Sequence, residues 1–123
     1  MLTNNRMENS KKIISLVREY FGENVTSFYQ SNYDNGEDFK IECLIYRSFL
    51  VSFSLADIPK GGIFDVSIGI SGKMFGLYTL TSYKNDIPLS FTEESINKNL
   101  DILNEYLIWS MSEAQKETFN INY

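Results

Sequence analysis

The hydrophobic period of this chain changes twice, and those two changes fix the order of its elements. From Asn5 to Phe21 the apolar residues Ile13, Ile14, Val17, Tyr20 and Phe21 recur at helical spacing. Lys11, Lys12, Arg18 and Glu19 fall largely on other faces. Gly22 follows the last apolar pair, where a left-handed cap ends a helix. From Asn24 to Tyr83 the period drops to two and turn residues interrupt it at regular intervals. From Phe91 to about Lys116 it returns to the helical value, with Ile96, Leu100, Leu103, Leu107, Met111 and Ala114 on one stripe. Ser90 and Glu93 carry the spacing of a capping box at its start.

The middle region resolves into five strands. Val25 to Tyr33 is the first, closed by the hairpin signal Asp34-Asn35-Gly36. Phe39 to Tyr46 follows, with Phe39, Ile41, Cys43 and Ile45 on one face; then Leu50 to Leu55, where Val51, Phe53 and Leu55 alternate with Ser52 and Ser54. Ile58 to Gly62 breaks the pattern. Phe64, Val66, Ile68 and Ile70 form the fourth strand, and Ser71-Gly72-Lys73 turns the chain into a fifth around Phe75 to Tyr83. Every connection is too short for a crossover helix, so the sheet is expected to be an antiparallel meander. Its apolar face meets the helices; Lys40, Glu42, Tyr46, Ser52, Ser54, Asp65 and Ser67 are expected on the uncovered face. The expectation is a single two-layer α+β domain over residues 1–123, helix–five strands–helix, with a short tail from Thr118 pinned by Phe119. A hydrophobic fraction of 43%, with 15% aromatic, is enough to close such a core without disulfides or metal.

Composition narrows the chemistry. The chain has no histidine and one cysteine. Ser-His, Cys-His and most zinc constellations therefore cannot be assembled from it alone. Many carboxylates are present, but no spacing singles out an acid/base pair. Cys43, between Ile41 and Ile45, reads as a buried thiol with no basic neighbour to activate it. Gly69-Ile-Ser-Gly72-Lys73 echoes a phosphate loop but joins two antiparallel strands, so it reads as a turn. No catalytic residue, cofactor or metal is expected.

A net charge of −5 argues against general binding to nucleic acid or anionic membranes and favours a basic partner; the plain alternative is that it keeps the protein soluble. The lone cysteine fits a reducing compartment, MLTNNRMENSKK lacks the apolar run of a signal peptide, and no stretch approaches a membrane span. A cytoplasmic location is expected.

Two surface groups stand out. On the last helix Ile102, Tyr106 and Trp109 form a second stripe beside Glu94, Asp101 and Glu105. It either packs against the first helix or serves as a contact surface, since tryptophan and tyrosine are enriched in binding hot spots. The other group is the acidic tip Tyr33 to Asp38, where Glu37 and Asp38 are expected to be exposed and to steer a cationic partner. It lacks the spacing and the distal glutamate of a calcium loop.

In size, acidity, element order and lack of catalytic groups, the whole chain resembles the small immunity proteins of bacterial contact-dependent inhibition and other polymorphic-toxin systems. The resemblance is one of architecture rather than of motif. It implies a monomer that binds a cognate, basic, nuclease-like toxin domain one to one and neutralises it, with no nucleic-acid or membrane partner. The implied contact groups are Glu37, Asp38, Glu94, Asp101, Glu105 and Trp109. The chain also resembles type III secretion chaperones in size and helix-flanked sheet; those are homodimers that carry a further helix within the sheet, for which Ala56 to Gly62 is too short. A third class, an enzyme or small-ligand binder, would need a deep pocket with converging polar groups.

Overall fold

The computed structural model describes residues 5–34, 36–81 and 87–121. Helix α1 (Arg6–Phe21) starts where the Asn5 side-chain oxygen accepts from the Met7 and Glu8 amides at 2.9 and 3.3 Å, and it ends at Gly22 with φ 57°. Five strands follow: β1 (Val25–Asn32), β2 (Phe39–Ile45), β3 (Phe49–Ala56), β4 (Ile63–Ile70) and β5 (Lys73–Gly76). They pair antiparallel in chain order, so the meander and the α+β class are as the alternation predicts. After β5 come a single helical turn α2 (Leu77–Leu80), the long helix α3 (Glu93–Ser110) and the short α4 (Glu113–Thr118).

The core lies between one sheet face and the helices. Ile13, Val17, Ile41, Ile45, Phe53, Phe64, Ile96, Leu100, Leu103 and Leu107 are all fully buried. Phe64 stacks near-parallel to Phe53, at 6.2 Å, and tilts against Phe91 at 6.3 Å.

Several elements depart from the periodicity. Strand β5 stops at Gly76, which caps the helical turn α2 with Leu77 buried; further along β4 the Phe64 amide donates to the Leu89 carbonyl at 2.8 Å. Residues 82–86, which hold the expected end of this strand, lie outside the described residues, as do Asn35 of the hairpin tip and the last two residues of the tail.

The last helix is broken rather than continuous to Lys116. Met111 is extended, and Ser112 then forms a capping box with Gln115 that starts α4; Met111 stays buried while Ala114 is exposed. At the start of α3 the cap is Thr92, whose hydroxyl accepts from the Ser95 amide at 3.1 Å, not a Ser90–Glu93 box.

Tyr46 is buried on the helix side instead of projecting from the open face. It and Arg47 form the β2–β3 turn at φ 53° and 57°, and that left-handed pair redirects the ring off the strand's alternation. Its ring packs 6.0 Å from Phe21 and 5.2 Å from Phe119, which pins the tail, and its hydroxyl donates to Asn104 Oδ1 at 2.7 Å.

Candidate functional site

Helices α1 and α3 run side by side in the same direction. Lys12 Nζ lies 3.6 Å from Glu93 Oε2, and eight residues further along each helix the Tyr20 hydroxyl donates to Asp101 Oδ1 at 2.7 Å. The flank of α3 that meets α1 therefore carries Glu93 and Asp101. At 3.6 residues per turn, Ile102, Tyr106 and Trp109 sit well around the helix from it. The reading in which this second stripe packs against the first helix does not hold. Ile102 and Tyr106 lean half-buried onto the core, whereas Trp109 is 75% exposed. The Trp109 and Tyr106 rings are 5.9 Å apart and tilted by 36°. Glu105, also exposed, sits one turn before Trp109.

The six residues implied by the resemblance are not one patch. Asp101, Glu105 and Trp109 share the second half of α3. Glu94 is exposed in its first turn, about 22 Å from Trp109 along the axis, where a carboxylate offsets the helix dipole. Asp101 also has structural work: it fixes Tyr20, whose phenol is held above its ordinary value first by burial and then by the Asp101 hydrogen bond.

The hairpin tip lies at the opposite end of the helix pair, latched to the start of α1. The Arg6 guanidinium donates to the carbonyls of Tyr33, at 2.9 Å, and Gly36. Glu37 is half-buried, accepting from the Arg6 amide at 3.1 Å with its carboxylate 3.9 Å from Arg6 Nε. Asp38 is only 6% exposed, which corrects the expectation of an exposed landing point. Its carbonyl accepts from the Tyr33 amide at 3.0 Å to close the hairpin, and it leads directly into fully buried Phe39.

Comparison of the chain with protein-family models, with curated proteins and with solved structures finds no match. The surface must therefore be read from its own chemistry.

Cys43 is 1% exposed, and burial pushes its thiol up to about 12, so it is no nucleophile at neutral pH. Among the described residues, no group of three or more acids or cysteines is placed to hold a metal ion, and no helix is long and apolar enough to cross a membrane. One hollow of about 410 Å³ lies beside the Arg6–Glu37 latch, lined by Gln30 and Asn32 among others. A smaller one, about 200 Å³, lies where Arg47 covers Phe119 and is bordered by Glu23 and Asn120.

Sequence reasoning missed one feature of the open sheet face. Leu44 pairs with Leu50 and Gly69 with Met74, so an apolar row crosses four strands among otherwise polar neighbours. A Cβ on Gly69 would lie 3.3 Å from Met74 Sδ and 3.4 Å from Leu50, so these two side chains close over the glycine. Leu44 and Leu50 are the available signal, because each puts an apolar residue at an outward position of its strand.

Proposed function

We propose that this protein is a cytoplasmic, monomeric immunity-type binding domain that neutralises a basic, nuclease-like toxin domain by direct one-to-one contact. The observation that carries the reading is Trp109: a lone tryptophan, three-quarters exposed, braced by half-buried Tyr106 and bordered one turn earlier by exposed Glu105. Tryptophan is enriched among binding anchors, and an exposed indole beside a carboxylate suits a cationic protein surface. The net charge of −5 and the absence of histidine support binding rather than catalysis. The contact set is reduced to Glu105 and Trp109, with Asp101, tied to Tyr20, at its α1 edge, because Glu37 and Asp38 are engaged in holding the hairpin and Glu94 lies too far along α3.

The chaperone reading is less well supported. Between β3 and β4 the chain makes one 3-10 turn, Ile58–Lys60, not the further helix those chaperones carry.

The test is capture from the source bacterium with three baits: wild type, Trp109→Ala and the double reversal Asp101→Lys/Glu105→Lys. A basic protein recovered in equal amount by the wild type, and lost by both variants whose far-ultraviolet dichroism is unchanged, supports the proposal. Recovery of the same protein by all three baits moves the interface elsewhere, first to the Leu44–Leu50–Met74 row. An acidic partner, or none, overturns the immunity reading.

A further inference from the structure

The second half of α3 has a charge pattern that specifies what its partner should present. From Asp101 to Ser110 the helix carries two acids and no base, and its last turn contains no basic side chain. Backbone carbonyls at a helix C-terminus attract cations, and here no basic side chain of the last turn answers them. Asp101 is engaged by Tyr20, but Glu105 and Trp109 have no hydrogen-bond or ion-pair partner among the described residues. The nearest base on the same helix, Lys98, lies seven residues before Glu105, about 10 Å along the axis.

The geometry fits one kind of side chain. Glu105 and Trp109 are neighbours at i and i+4, with their Cβ atoms about 6 Å apart. Tyr106 backs one part of the indole, leaving most of Trp109 open. A planar cation laid on that indole would reach the Glu105 carboxylate with its edge. Guanidinium is flat, weakly hydrated and forked, so it stacks and pairs at once; an ammonium must give up more hydration to touch the ring and offers no fork.

We infer that Trp109 and Glu105 form a receptor for an arginine side chain of the partner, the guanidinium stacked on the indole and paired with the carboxylate. This rests on the reading of α3 as the partner surface. It goes beyond general charge attraction, because it predicts discrimination between two residues of equal charge.

Trp109 is the only tryptophan, so its fluorescence reports the site directly. The probes are a hexa-arginine peptide, a hexa-lysine peptide and a hexa-citrulline peptide, titrated at low ionic strength into the full chain. Saturable quenching is expected with arginine, binding about three-fold weaker with lysine, and no response with citrulline. Glu105→Gln should weaken arginine binding about three- to ten-fold and abolish most of the preference over lysine, whereas Glu94→Gln on the distant first turn should leave that preference intact. Equal binding of arginine and lysine peptides, or an unchanged preference in Glu105→Gln, overturns the assignment. The two readings fail separately. If the peptides show no preference but a basic partner is captured and then lost by the double reversal, the arginine receptor falls and the partner surface stands. If the preference is present and no basic partner is captured, the receptor stands and the immunity reading falls.

Discussion

Single side chains in this molecule divide by burial into those that hold the fold and those left free for contact. Trp109 belongs to the second group. Trp109→Ala should change unfolding free energy by no more than about 0.5 kcal/mol, because an exposed ring contributes little to folding. The same change should cost more than 1 kcal/mol of partner affinity if the indole is an anchor. Chemical denaturation and titration calorimetry read the two numbers separately; a large stability loss with unchanged affinity would place Trp109 among the packing residues. Tyr46 belongs to the first group. Tyr46→Phe removes the donor to Asn104 and should destabilise the domain by about 1 kcal/mol, measured as a lower denaturation midpoint with unchanged slope.

At the level of elements, the latch and the broken helix make separate predictions. Arg6→Ala removes the guanidinium that ties the hairpin tip to α1 through Tyr33 and Gly36. Amides around Tyr33 and Gly36 should then exchange with solvent faster, while protection in β3 and α3 is kept; uniform loss across the chain would mean that the latch governs global stability. Much of this level was legible beforehand. Strand order followed from alternation and short connections, and α1 from its apolar spacing with Gly22 at its end. What escaped was decided by competition between nearby groups. The stripe through Met111 and Ala114 suggested one helix, but Ser112 and Gln115 satisfy each other's backbone amides and start a new one. Tyr46 alternated like an outward residue, yet two consecutive left-handed residues turned it inward, and no glycine marks that turn. At the surface, Glu37 and Asp38 read as exposed acids because the latch depends on Arg6, a residue distant in sequence. Glu105 was legible as an outer-face acid from the helical period alone, whereas periodicity left Trp109 between packing on α1 and forming a contact surface, and its exposure follows only from where α1 lies.

Over the whole molecule, the charged and aromatic groups lie at opposite ends of the parallel helix pair: the latched hairpin at one, Trp109 at the other. Cys43 and Tyr20 couple the interior to pH on the alkaline side. Burial raises Cys43 from about 9 to about 12, and burial with the Asp101 hydrogen bond raises Tyr20 above its usual 10. For both groups the folded state keeps a proton that the unfolded chain has released. Stability is therefore complete below the unfolded value and falls as pH rises toward the folded one. Each group contributes a slope of up to about 1.4 kcal/mol per pH unit, Cys43 from about pH 9 and Tyr20 from about pH 10. Tyr20 is the more exposed of the two and is screened accordingly, so Cys43 should dominate. Urea denaturation between pH 7 and 11 should show a flat region and then a decline, and Cys43→Ala should flatten the decline between pH 9 and 10 although the variant is less stable at pH 7 through its lost packing. An unchanged slope in that variant would mean that the thiol ionises in the folded state, and it would then react with a thiol reagent at pH 8 without prior unfolding.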